Sequence, residues 1–264
     1  MVCPAVTLTS SASRQRGFLP RYRSSFDASA LSLRSDGMRI RATKRIHAAR
    51  RAVLLRQALR QVRGQLRNGT AEPSAVARVR EVWGNSNWTA SVDFLLASIQ
   101  ACQQTQAAVV ECGSGLSTAV IGLALEKSKR HLITLEHDNE WARRTRRRVR
   151  FAGITNVRVL DCPLESKGDW SWYAVSSRDL PRSIGVVICD GPPADTPGGR
   201  RGMLPALRGH LTHDPIIVLD DVDRTPELNV AEAWADELGL VLEISNPDVN
   251  GGQHALIRPP GVGA

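Results

Sequence analysis

From residue 107 to residue 220 the chain repeats one pattern five times: a short apolar run that stops at a glycine turn or an acidic residue. The runs are 107–112, 131–136, 157–160, 184–190 and 215–220. Helical spacing occupies roughly 116–128, 138–151, 200–211 and 225–238. Runs of four to seven residues suit buried strands better than helices. Strands alternating with helices in this way predict an α/β domain, a parallel sheet with helices on both faces. Two later runs, 240–244 and 254–257, flank Asn250-Gly251-Gly252, which marks a hairpin. No internal repeat is present, and no apolar stretch approaches the ~20 residues that span a bilayer.

The residues that end each strand carry the chemistry. The first run leads into Val109-Val110-Glu111-Cys112-Gly113-Ser114-Gly115-Leu116-Ser117-Thr118. A buried strand that ends in glycines and opens a helix lets a ligand come close to backbone. A dinucleotide loop reads G-x-G-x-x-G; here Thr118 stands at the third position and Glu111 precedes the first glycine by two. The second run ends in Glu136, 21 residues after Gly115, where an acid can accept hydrogen bonds from ribose hydroxyls. The third ends in Asp161-Cys162, the fourth in Asp190-Gly191-Pro192-Pro193, and the fifth in Asp220-Asp221.

The E-x-G-x-G loop, followed in register by acids at the ends of strands two to five, resembles the class I S-adenosylmethionine-dependent methyltransferases over about 150 residues. The resemblance implies a Rossmann-like sheet of seven strands, mostly parallel, with the last one antiparallel. It implies that Glu111, Gly113, Ser114, Gly115, Ser117 and Thr118 receive the methionine end of the cofactor. Glu136 would take the ribose, with His137 bordering the nucleoside, and Asp161 and Cys162 would contact the adenine. Trp88, Thr89 and Ser91 are further candidates to close over the methionine end.

Asp190, Asp220 and Asp221 fall at two consecutive strand ends and face one cleft. Clustered carboxylates repel unless a cation or proton intervenes, and oxygen ligands suit Mg²⁺. The arrangement is similar to the catechol-type, metal-dependent O-methyltransferases, so all three are candidate metal ligands and Asp190 is the candidate catalytic base. In departure from that pattern, no lysine follows the strand-four aspartate; only Arg200 and Arg201 do. Asp-Gly-Pro-Pro also departs from the Asp/Asn-Pro-Pro-aromatic motif of many amino-group methyltransferases. His213 and His254 are lesser candidates for a base.

The formal charge of +9 is unevenly placed. Residues 1–70 hold 15 Lys or Arg against Asp27 and Asp36, whereas 71–264 hold 20 basic and 24 acidic residues. Residues 1–37 lack apolar periodicity and read as disordered or as a leader, with an organellar address and a later start at Met38 both open. Residues 38–70 read as a basic amphipathic arm. There Leu55, Leu59, Val62 and Leu66 line one face and Arg56, Arg60, Arg63 and Arg67 run beside it. That arm could pack on the catalytic domain, pair two copies in a homodimer, or meet nucleic acid or an anionic membrane. Residues 71–264 read as the catalytic domain. The five cysteines have no metal-binding spacing, which favours a reducing, cytoplasmic setting.

The expected function is methyl transfer to a hydroxyl of a small-molecule or saccharide-like acceptor, with S-adenosylmethionine as cofactor and Mg²⁺ as a candidate second one. Two alternatives stay open: an NAD-dependent oxidoreductase, and a catalytically degenerate nucleoside-binding module with an RNA-binding arm.

Overall fold

The computed structural model describes residues 27–84 and 88–261, and the chain divides into two units, 1–48 and 49–264. In the first, residues 27–48 belong to helix α1 (Asp27–Arg67); the reading of 1–26 as a leader lies outside the described residues. The helix thus begins within the segment expected to be disordered. No proline interrupts residues 27–67, so the backbone can stay helical there without an apolar stripe.

The second unit contains, in order, α2 (Pro73–Trp83), α3 (Val92–Gln104), β1 (Ala108–Cys112), α4 (Leu116–Glu126), β2 (Leu132–Glu136), α5 (Asn139–Phe151) and β3 (Val157–Asp161). A small hairpin follows, β4 (Leu164–Ser166) with β5 (Ser171–Tyr173). Then come β6 (Ile184–Cys189), α6 (Met203–Leu207), β7 (Leu211–Leu219), α7 (Thr225–Leu238), β8 (Val241–Ile244) and β9 (Ala255–Arg258). The main sheet has seven strands in the order β3-β2-β1-β6-β7-β9-β8. Its first five strands pair in parallel, and β9 runs antiparallel to both β7 and β8. The Rossmann-like expectation is met, the antiparallel last strand included.

Alternation along the central strands divides their side chains between two cores. Val109, Val186 and Ile188 pack with α3 and α4 on one face. Val110, Val187 and Cys189 pack with α6 and α7 on the other. All six residues of β6 are buried, as expected of a strand covered on both faces. The chain leaves β1 toward β2 and β3, then returns to the opposite side of β1 as β6. That reversal opens a crevice at the carboxyl ends of β1 and β6, the usual ligand site of open parallel sheets.

Three local expectations need correction. The compact unit begins at Ala49 rather than at 71, because Leu55, Leu59, Val62 and Leu66 are all buried in its core. The helix expected over 200–211 is broken into a 3-10 turn (Gly199–Gly202), the five-residue α6, and a second 3-10 turn (Arg208–His210); Gly199, Gly202 and Gly209 weaken helix there. The β4–β5 hairpin was not anticipated, since strands of three residues are too short to show a period.

Of the roles open to the arm, packing on the domain is the one seen for residues 49–67. Arg63 reinforces it, donating to Glu126 and to the carbonyls of Ala152 and Gly153. Among the described residues no helix is long and apolar enough to cross a membrane. Cys102, Cys112, Cys162 and Cys189 are buried free thiols. Because Leu59 is only 1% exposed, Leu59→Ala should destabilise the fold by about 2–4 kcal/mol. Urea unfolding measures this directly, and a near-zero effect would mean that the arm is not part of the core.

Candidate active site

The first turn of the crevice is fixed by close backbone contact. Gly113 has a φ of 87°, a left-handed conformation that glycine adopts without steric cost. A Cβ there would lie 3.1 Å from the Asp190 carbonyl oxygen and 3.2 Å from the Gly191 nitrogen. The exits of β1 and β6 therefore nearly touch. A Cβ on Gly191 would in turn meet the Tyr173 hydroxyl at 2.5 Å. That hydroxyl is buried without a hydrogen-bond partner, and burial holds its pKa well above the ordinary phenol range. Over Gly115, by contrast, a Cβ would find nothing within 4 Å, so the second glycine borders open space.

Glu111 braces this turn from below. It is completely buried, and its Oε2 accepts from the Thr118 hydroxyl at 2.7 Å and the Thr134 hydroxyl at 2.8 Å. The Gly115 N–H donates in turn to Thr118 Oγ1 at 2.9 Å. A relay thus runs from the loop backbone through Thr118 to the carboxylate, which explains why threonine replaces a third glycine. Glu111 Oε1 is buried and unpartnered. Burial, opposed by the hydroxyl donors, pushes the carboxyl up to about 7.

Glu136 ends β2 with only 3% of its surface exposed. Its Oε2 accepts from the backbone N–H and the hydroxyl of Ser114 at 2.9 and 2.7 Å, and its Oε1 accepts from the Asp138 N–H at 3.0 Å. Burial opposes these donors, but they and His137 hold the Glu136 pKa below the ordinary value. His137 Nδ1 lies 3.1 Å from Glu136 Oε1, and its ring meets Tyr173 edge-on at 6.3 Å. The Glu136 contact raises the His137 pKa. Glu111, Gly113, Ser114, Gly115, Thr118, Glu136 and His137 are thus gathered at one sheet edge. Ser117 is buried on the first turn of α4.

Asp161 and Cys162, expected at the adenine, make other contacts in this structure. Asp161 pairs through both oxygens with Arg146 of α5. The Cys162 N–H donates to the Glu136 carbonyl at 2.7 Å, so the parallel ladder runs one residue further than expected and consumes that donor. Ser91 caps α3 by accepting from the Phe94 N–H at 3.1 Å, and Trp88 is 72% exposed. His213 pairs with Asp214 on the surface. His254 precedes Ala255, which pairs with Leu219, so it lies at the site's edge of the sheet; there it packs against Phe94, and burial lowers its pKa.

The three aspartates expected to bind metal meet a different cation. Arg200, 3% exposed, reaches from the 3-10 turn into the gap between the exits of β6 and β7. Its Nη2 contacts Asp221 Oδ2 at 2.5 Å and lies 3.6 Å from Asp190 Oδ1. Its Nη1 donates to the Asp220 carbonyl at 2.5 Å and the Cys189 carbonyl at 3.4 Å. Arg224 takes the other Asp221 oxygen at 2.9 Å. Both Asp221 oxygens are therefore engaged by guanidinium groups, and a buried positive charge stands where a metal would. Among the described residues no group of three or more His, Cys, Asp or Glu is arranged to hold a metal ion. The donor set does not fit Mg²⁺, and Asp190, Asp220 and Asp221 are not a metal-ligand triad in this geometry. Burial raises the pKa of Asp190 to about 7 against the lowering effect of Arg200; burial also raises that of Asp220.

Sequence reading missed Tyr173, Thr134, Trp141 and the role of Arg200. Thr134 had a signal, as a polar residue inside an apolar strand. Trp141 Nε1 donates to the Ser114 carbonyl at 2.5 Å, a loop contact that periodicity cannot show.

The Glu111 carboxyl predicts a pH dependence. Its folded pKa of about 7 lies above the ordinary 4.5, so folding favours the protonated form. That stabilisation is fully present below about pH 4.5 and is lost as pH rises through about 7. Glu111→Gln should flatten the stability profile between pH 5 and 8 by about 2–3 kcal/mol, as read by denaturant titration at several pH values. An unchanged slope would show that Glu111 is not the titrating group.

Comparison with known proteins adds independent evidence. Residues 110–222 match a family model described as a methyltransferase domain. An O-methyltransferase from Bacillus cereus, solved in complex with SAH, superposes with a TM-score of 0.51 at 13% identity, covering 70% of this chain and 90% of that one. A precorrin-6y C5,15-methyltransferase from Geobacter metallireducens GS-15 gives 0.51 at 12% identity, covering 65% and 89%. At such identities the likeness concerns the fold. No curated protein sequence matches the chain. The family match, the strand order and the E-x-G-x-G turn at the sheet's reversal agree: residues 110–222 match a methyltransferase domain, set in a sheet with the fold of the class I S-adenosylmethionine-dependent methyltransferases.

Proposed function

We propose that the protein transfers a methyl group from S-adenosylmethionine to a hydroxyl oxygen of a small, saccharide-like acceptor, with Asp190 as general base. The observation that carries this reading is the meeting of three features at one sheet edge. Gly115 borders open space, Glu136 stands at the end of β2, and the backbone of Asp190, at the exit of β6, lies against Gly113. Residues of the loop fit the cofactor. Glu111, buried beneath the turn beside Ser117, Thr118 and Thr134, braces the loop that would receive the methionine end, and a ribose diol at Glu136 would displace the Ser114 hydroxyl. When bound, the cofactor supplies an electrophilic methyl on a sulfonium sulfur, so the protein's share is mainly alignment and exclusion of water.

A hydroxyl acceptor must lose its proton as its oxygen bonds to the methyl carbon and the carbon–sulfur bond breaks. Asp190 suits that task because its partial burial shifts its pKa upward from the ordinary aspartate range, toward the operating pH where a base works best. Its side chain is 27% exposed, so it is open to a bound acceptor. The acceptor class is supported by an open groove of about 520 Å³ beside the β4–β5 hairpin, lined by Trp170, Glu165, Lys167 and Ser176 among others. An aromatic residue among polar groups suits a compact polyol or ring with both apolar and hydroxyl faces. Tyr173 joins this groove to the Gly113–Gly191 contact.

Calorimetric titration with S-adenosylhomocysteine and with NAD tests the cofactor. The first should bind and the second should not, and Glu136→Ala should weaken S-adenosylhomocysteine by about 1–3 kcal/mol. Binding of NAD alone would overturn the reading. In a screen of hydroxylated acceptors, Asp190→Asn should abolish turnover while leaving S-adenosylhomocysteine affinity unchanged. Full turnover in that variant would remove Asp190 as the base.

A further inference from the structure

We infer that Arg200 is the permanent counter-cation of this site, a positioning residue that replaces a divalent metal and joins the two strand exits beneath the acceptor. The inference rests on the methyltransferase reading for its catalytic meaning, but the electrostatic arrangement stands without it. Asp190, Asp220 and Asp221 bring three acidic groups to the adjoining ends of β6 and β7. Such a cluster is stable only with a compensating charge nearby.

Arg200 meets that need in a way that a surface residue could not. Its guanidinium spans both strand exits, holding the Cys189 and Asp220 carbonyls with Nη1 and facing the Asp190 and Asp221 carboxylates with Nη2. A planar, permanently charged fork can engage several oxygens in one plane at once, which a lysine ammonium cannot do in the same geometry. The backbone is committed to the arrangement as well. Asp221 is a non-glycine residue with a φ of 63°, a conformation that costs energy and recurs where a side chain must be aimed.

The segment that carries Arg200 is itself anchored. A Cβ on Gly198 or Gly202 would come within 2.5 and 2.7 Å of Trp170, so the turn packs directly on that residue of the acceptor groove. The Ser171 N–H also donates to the Pro197 carbonyl at 2.8 Å. Arg200 therefore ties Asp190 to the loop that borders the acceptor. Its guanidinium, 3.6 Å from the Asp190 carboxylate, compensates that charge in place, and methyl transfer proceeds without an added metal.

The test uses the full chain and Mn²⁺ as probe, by calorimetry with and without S-adenosylhomocysteine. Wild-type protein should show no saturable Mn²⁺ binding, and its Tm should not respond to EDTA or Mg²⁺. Saturable Mn²⁺ binding that disappears in Asp190→Asn or Asp221→Asn would overturn the inference, and this needs no Arg200 variant to fold. Arg200→Met should lower Tm by roughly 5 °C, the cost of leaving partly buried carboxylates and two buried carbonyls without their cation in a domain of this size. Adding Asp221→Asn should restore most of that loss, because it removes the charge left without a partner. If the double variant is no more stable than Arg200→Met alone, Arg200 acts by packing and the inference fails. S-adenosylhomocysteine binding in the same wild-type samples judges the methyltransferase reading separately.

Discussion

Acidic groups gathered at one end of a sheet repel one another, and the carboxyl edge of this sheet has six: Glu111, Glu136, Asp161, Asp190, Asp220 and Asp221. Parallel pairing makes the crowding unavoidable, since it sends every strand's exit to the same edge. The structure solves it differently for each acid. Glu136 is held in its ionised form by N–H and hydroxyl donors of the Ser114 turn and by His137. Asp221 lies between two arginines. Glu111 is buried against threonine hydroxyls, and burial pushes its pKa up to about 7, which favours its protonated form. Asp161 pairs with Arg146. Asp190, partly exposed at the crevice, has Arg200 Nη2 3.6 Å away, and Asp220 holds the same guanidinium through its carbonyl while burial raises its carboxyl pKa.

The same interactions set the shape of the binding edge. Glu111 holds Thr118, Thr118 holds the Gly115 N–H, and the turn above them is drawn against Asp190 and Gly191 by the absence of a side chain at Gly113. Trp141 secures Ser114 from α5. Sites that bind or react well are built on groups whose own positions are fixed by a second set of contacts. Here that support comes from three strands and two helices, so the glycine turn is a rigid feature of the sheet and not a loose loop.

Much of this was legible in the chain because two periods and one placement rule govern it. Apolar runs of strand length alternating with helical spacing gave the sheet and the positions of Glu111, Glu136, Asp190 and Asp220. What was not legible depends on contacts between residues distant in sequence. Asp161 looked free at its strand end, but Arg146, fifteen residues earlier, occupies both its oxygens. The Cys162 N–H was spent on extending β3, and strand ends are the least certain part of any pattern. Arg200 was passed over as a mere departure from a lysine, since nothing in the local sequence says that its side chain turns inward to meet residues twenty and twenty-one positions away. Tyr173 sits on a strand of three residues, too short to announce itself.

The central claim is that one rigid edge holds the cofactor and supplies its own cation. A crystal structure of the full chain grown with S-adenosylhomocysteine and Mn²⁺, with anomalous data for the metal, addresses both parts at once. The ligand should lie over Gly113–Gly115 with its ribose at Glu136, Arg200 should still bridge Asp190 and Asp221, and no anomalous peak should appear between them. A Mn²⁺ peak among the three aspartates with Arg200 displaced, or a ligand bound away from the glycine turn, would contradict the account.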